Sequence, residues 1–454
     1  MAPARPVVQP TPSATVSAGP STPATSYAAS GRAAGTWLAG ELVDGGLPGF
    51  VGTDWGLTLD ALFALQATGA DPAASRAVTS ATAAHVTSYS TWDDWGVAGV
   101  RIAGATAKLL VAAVSTGSDP RAYGGHDLRT ETLELVATDG VHRGRVRDRY
   151  PAESGGVDAS NTFAQSFAVI GLARSGGVPQ DVVDFLIRQQ CAAGGFRLSP
   201  DTFGTPSATC DESTNAVLDP DSTSMAVQAL LTAAEAGAAG AAGAAAKGAD
   251  WLVKVQRADG SFGGSGPTEA SNTNSTGLAG QALAAAGRRE AADRAAAYVV
   301  AHQLTIANAG KATGETGAIA YNTEGLTTAQ SSGVADNQRD QWRRATAQAL
   351  LALAQVPFGK LGGDGSGPGP SGSPTASPTA TGTPSPTASV TPSGSVTDPG
   401  PSPTAPGVTE SPTNGGGGLP TTGASVVLMV VVAVVLVGGG AGLVVATRRR
   451  GARS

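Results

Sequence analysis

One kind of segment returns six times along this chain: an Ala- and Leu-rich stretch, usually ending in glycine, at Leu59 to Gly69, Gly104 to Gly117, Phe163 to Gly176, Ser224 to Gly237, Gly277 to Gly287 and Ala345 to Ala354. Runs such as DALFALQATG and MAVQALLTAAEAG are apolar around most of a helical circumference, which predicts helices buried on several sides. More amphipathic stretches alternate with them: Gly31 to Val43, Ala73 to Val86, His126 to Ala137, Gln180 to Gln190, Lys247 to Gln256 and Arg289 to His302. No alternating β pattern of useful length appears, so the class is all-α. Helical hairpins that recur at such a period form either an open solenoid or a closed ring. Six inner and six outer helices, with small residues on the inner ones, predict a closed α/α toroid of about six hairpins spanning residues 31 to 358.

The joints between outer and inner helices share a frame. QRADGSFGG at Gln256 to Gly264 and QCAAGGF at Gln190 to Phe196 place Gln, Gly and Phe at matching offsets, and ELVDGGL at Glu41 to Leu47 repeats the frame with Glu and Leu. An aromatic-Leu pair precedes each: Trp37-Leu38, Phe185-Leu186 and Trp251-Leu252. Here the chain resembles the squalene-cyclase and prenyltransferase repeat family, whose Q-x-x-D-G-(S/G)-(W/F) motif joins an outer helix to the next inner one. Only Gln256 to Gly264 matches the motif in full, and the resemblance bears on fold before activity. Physically, glycine makes the turn, the ring fills space between hairpins, and Gln or Asp satisfies free backbone groups at helix ends.

Polar residues gather ahead of the inner helices, where a toroid would ring its mouth with them and helix dipoles would favour an anionic or oxygen-rich ligand. They supply the ligand-binding candidates Asp54, Trp55, Asp94, Trp95, Asp158, Asn161, Asp219, Asp221, Asn272 and Asn274. Asp219-Pro220-Asp221-Ser222-Thr223 is similar to the D-x-D-D-T run of class II terpene cyclases, which implies Asp221 as a protonating acid, with Asp219 and Asp158 as further catalytic candidates. The residue after Asp221 is Ser222 where that family has a second Asp, and Asp, Ser and Thr at a helix start are preferred caps. Capping is therefore the leading expectation. Glycoside cleavage by paired carboxylates is a further enzymatic option. His85, His126, His142 and His302 show no metal-ligand spacing with the two cysteines, so no metal is expected, and no motif calls for a cofactor. The zinc set of protein prenyltransferases and the Cys-Gly-Glu-Gln run of thioester domains are also absent. A carrier-like module for a small hydrophobic or wall-associated ligand remains, beside an adhesive or structural role.

The net charge of −6 and the absence of a basic run before the tail exclude the electrostatic footprint of a nucleic-acid binder. Residues 1 to 30 and the Pro/Ser/Thr/Gly-rich stretch 359 to 418 are expected to be disordered, the latter as a stalk. The tail then reads Leu419-Pro420-Thr421-Thr422-Gly423, an uncharged apolar run at 424–447, and Arg448-Arg449-Arg450. That run is long enough for a transmembrane helix, and its basic flank would stay cytoplasmic. The order resembles the LPxTG cell-wall sorting signal of Gram-positive surface proteins, which implies sortase cleavage after Thr422 and attachment to peptidoglycan. Residues 1 to 30 hold no apolar signal-peptide core, so export would need one upstream. In an exported protein, Cys191 and Cys210 are expected to form a disulfide.

Overall fold

The computed structural model describes residues 25–363, apart from 50, 203, 204, 208, 214 and 215. Fourteen α-helices lie among the described residues: α1 (Thr25–Gly40), α2 (Trp55–Thr68), α3 (Pro72–Ala84), α4 (Val86–Ser90), α5 (Ala103–Ser115), α6 (Leu128–Glu134), α7 (Thr162–Arg174), α8 (Gln180–Arg188), α9 (Pro220–Glu235), α10 (Ala241–Val255), α11 (Thr273–Ala285), α12 (Arg289–Ala301), α13 (Thr323–Ser332) and α14 (Arg339–Ala354). The six apolar segments are α2, α5, α7, α9, α11 and α14. Each packs on the next, and α14 packs back on α2, so the ring closes. Helices α1, α3, α6, α8, α10 and α12 form the outer layer, while α4 and α13 are additions within connections. The fold is an all-α toroid of six hairpins.

Two devices repeat around it. In five inner helices, near the start of four and midway along α14, a side chain accepts the amide of a buried apolar residue from the preceding joint: Thr58 from Leu47, Gln165 from Val146, Thr223 from Phe196, Thr276 from Phe262 and Thr346 from Ile319, all at 2.9 Å. Each bond satisfies a loop amide that burial would otherwise leave unpaired. The second device is the joint glutamine. Gln190 Nε2 donates to Gly194 O in its own turn and to Ala244 O of α10. Gln256 does the same with Gly260 O and Ala291 O of α12. Gln303 bonds Gly317 O and Ser30 O of α1, so the motif also joins the last outer helix to the first. That bond, with Tyr27 Oη donating to Asp293 O, accounts for α1 beginning at Thr25, ahead of the expected Gly31.

Beyond α14 the chain crosses the end of the ring where the inner helices terminate. The Phe358 amide donates to Gln228 of α9, Arg174 of α7 donates to Phe358 O and Leu361 O, and Lys360 pairs with Glu235. The packing of this segment therefore includes Lys360 and Leu361, beyond residue 358. No helix among the described residues is long and apolar enough to cross a membrane, and both the sorting pentapeptide and the 424–447 run lie outside the described residues.

Candidate functional site

The ring centre is where a toroid would hold a ligand, and here side chains fill it. Phe63 of α2, Phe167 of α7 and Phe358 form a triangle with ring centroids 5.3 to 6.2 Å apart. Met225, Leu278 and Leu351 line the same space, with Asp60 and Gln348 as its polar members, and the room left there is about 10 Å³, space for about one water. Beside it the buried Lys108 of α5 pairs with Asp60 at 2.6 Å and donates to Gly56 O at 2.8 Å.

The mouth residues sort by the bonds they make. Asp54 caps α2 by accepting from Leu57 N, and its other oxygen pairs with Arg344 of α14. Burial alone would raise its carboxyl, but Arg344 and the Leu57 amide outweigh burial and hold it below the usual range. Trp55 stacks on His85 with centroids 4.2 Å apart. Asn161 caps α7, Asp219 caps α9 through Ser222 N at 2.6 Å, and Asn272 caps α11 through Ser275 N at 2.8 Å. Asn274 reaches α14, donating to Gln348 Oε1. Asp54, Asn161, Asp219 and Asn272 thus each cap an inner helix, and Asp54 and Asn274 also tie their helices to α14.

Asp158 does not cap α7. It accepts from the amides of Asp148 and Ser160 and pairs with Arg145 and Arg147 at 3.2 and 2.9 Å. Burial would raise it, but Arg145, Arg147 and Ser160 hold it low. Its neighbour Asp148, which sequence reasoning missed, is pushed up to about 6 by burial and by the Asp158 charge. Carboxyls split in this way suit acid-base work. Yet both Asp148 oxygens are taken by backbone amides, those of Ala103 and Ala159, so it serves as a remote cap for α5. The available signal was a negative one: α5 starts at Ile102-Ala103-Gly104, with no capping side chain of its own.

Asp221 lies in the first turn of α9, fully buried, and burial and the nearby Asp219 push its carboxyl well above the usual range, with Ser275 opposing. Its Oδ1 has no described hydrogen-bond partner, and Oδ2 lies 2.8 Å from where a Cβ on Gly264 would sit. Gly264 and the Thr268 hydroxyl, of the connection leading to α11, lie close to it. The candidate protonating acid is thus a buried carboxyl in the first turn of α9, beside the Asp219 cap.

Asp94 and Trp95 stand on a single 3-10 turn, Asp93–Trp95, in the connection leading to α5. Both are exposed, Trp95 to 56%. The expected disulfide between Cys191 and Cys210 is formed, and no group of His, Cys, Asp and Glu among the described residues is placed to hold a metal.

No family model matches the chain, and no curated protein matches it either. Among solved structures it is similar to a protein from Actinoplanes at 19% identity, covering 72% of this chain and 99% of that one with a TM-score of 0.47. It is also similar to Candida albicans protein geranylgeranyltransferase-I complexed with GGPP, at 11% identity, 66% and 83% coverage and a TM-score of 0.44. A third is the unsaturated glucuronyl hydrolase from Bacillus sp. GL1, at 11% identity, 73% and 95% coverage and a TM-score of 0.43. At such values a likeness does not carry an activity across.

Proposed function

We propose that the protein is a cell-surface binding module: a toroid borne on a stalk, joined to peptidoglycan by a sortase, and meeting its ligand through the connections at its mouth rather than through its centre. The observation that carries this reading is the course of residues 356 to 363. They cross the end of the ring opposite the mouth, with Gly362 packed on Ser115 at the end of α5. That end is covered by the chain itself, which leaves the mouth connections as the side on which a ligand would be met. The sorting pentapeptide, apolar run and arginines support the anchor, and the Cys191–Cys210 bond suits an oxidising compartment. The filled centre favours surface recognition over turnover of an enclosed substrate.

Mass spectrometry of enzymatically released wall fragments tests the anchor. A peptide ending at Thr422 and bonded to a wall amine is expected; intact chain ending at Ser454, with no such conjugate, would refute it. Pull-down of the purified protein on isolated walls tests the binding role, with retention expected.

A further inference from the structure

Residues 356 to 361 are held at the end of the ring in the way a receptor holds a peptide. Side chains from three inner helices read the main chain of this strap: Gln281 Nε2 donates to Val356 O at 2.6 Å, Gln228 Oε1 accepts from the Phe358 amide at 3.0 Å, and Arg174 donates to Phe358 O at 3.1 Å and to Leu361 O at 2.6 Å. Gln228 and Gln281 are buried and bonded to each other at 2.9 Å, so each turns its other amide atom to the strap. Arg174 has no carboxylate partner among the described residues; its remaining bond is to Val114 O. Phe358 and Leu361, three positions apart, are the anchors, 3% and 0% exposed. Main-chain bonds combined with pockets for spaced side chains are how peptides are recognised.

None of these contacts requires the strap to belong to the same chain. Lifted away, it would leave two buried glutamines and a guanidinium without partners beside an open apolar space, so the ring end selects another segment of the same kind. A second copy carries that segment. The hinge also suits exchange. Gln355, which ends α14, sits at φ 52°, one of two non-glycine residues among those described in the left-handed region, and Pro357 two positions on does not continue a helix. A short hinge under strain invites two copies to trade the element it carries. The three residues Gln355, Val356 and Pro357 reach about 10 Å, so the two copies would meet ring end to ring end, related by a two-fold axis.

We propose that this end of the ring is a docking surface for a second copy of the chain, and that two copies pair by exchanging residues 356 to 361. The pairing is separate from recognition at the mouth. Thr232 of α9 lies against the strap and is 7% exposed, and a Cβ on Gly359 would stand 3.3 Å from the Thr232 Cβ, close enough for a disulfide. Full-length T232C and G359C are therefore mixed over a range of concentrations, with oxidised glutathione as oxidant. A thiol at position 232 is covered by its own strap, so a disulfide between chains forms only where the strap of another copy has replaced it. A heterodimer that grows with concentration, and that mass spectrometry maps to these two positions, is expected; it should be about tenfold scarcer when the G359C chain also carries L361A. Light scattering on wild type checks the same point without engineered thiols, and a dimer fraction that rises with concentration is expected. No heterodimer, equal yields with and without L361A, or a monomeric wild type throughout would each overturn the proposal. So would coupling of T232C to a synthetic peptide of residues 355–363 carrying G359C while the two chains stay unjoined, since the ring end would then serve a peptide from elsewhere.

Discussion

Arg344 pairs with Asp54 across 290 positions of chain, joining the last inner helix to the first. It belongs to a clasp: Glu41 accepts from Arg339 at 2.6 Å and from Arg343 at 2.8 Å, and Arg339 also bonds Glu315. Glu41 stands where three other joints carry glutamine, so the first joint exchanges an amide bolt for an ionic one.

Removing that bolt should cost stability. Glu41 is buried, which would raise its carboxyl, but Arg339 and Arg343 hold it below the usual range. E41A is expected to lower stability by about 2–4 kcal/mol because two guanidiniums lose their shared partner. A depressed carboxyl contributes stability that is complete above its unfolded pKa of about 4 and is lost as pH falls through the lower folded value. Denaturant titrations at pH 7 and pH 3 should therefore show a smaller difference for E41A than for wild type; an unchanged difference would mean that the clasp is not ionic in effect.

Phe358 should be replaceable only at the expense of a cavity. F358A removes one side of the aromatic triangle and is expected to destabilise by about 3–5 kcal/mol. The space released is lined mostly by apolar groups, so benzene or xenon should raise the melting temperature of F358A and leave that of wild type unmoved.

Asp221 and Asp148 titrate in the opposite sense to Glu41. Both carboxyls are raised, so their contribution to stability is complete below about pH 4 and is lost as pH rises toward the folded value, which for Asp148 is about 6. D221N, which mimics the protonated acid, should raise the melting temperature at pH 7 and change it little at pH 4. A loss of stability at both pH values would show that the carboxyl is needed as such.

Reduction of Cys191–Cys210, which closes 19 positions of chain, should lower stability by about 3 kcal/mol in the chain-entropy model. Thermal melts with and without a reductant, compared with those of C191S/C210S, check this. The double variant should match the reduced protein.

The inner helices were legible because an all-round Ala and Leu surface leaves a helix nowhere to lie but inside. The glutamines of the QRADGSFGG and QCAAGGF joints were legible for the same local reason, their turns being short. Gln303 was not, since its turn closes on Gly317 after a long excursion and its second partner, Ser30, belongs to the other end of the chain. Asp148 escaped notice for a related reason: it caps a helix that starts 45 positions earlier. Asp221 could be read as buried acid or as cap from local pattern alone, and the outcome depended on Gly264 and Thr268, which pattern does not place beside it. The state of the ring centre hinged on Phe358, a residue beyond the last repeat.

The crossing segment also has a mechanical consequence. A pull on the chain beyond Gly363 does not act on α14 alone. It meets Arg174, Gln228 and Glu235 first, and through them α7 and α9, in another sector of the ring. Load arriving from a stalk would thus be shared among several hairpins at once, and the ring would resist as a hoop instead of unwinding from its last helix.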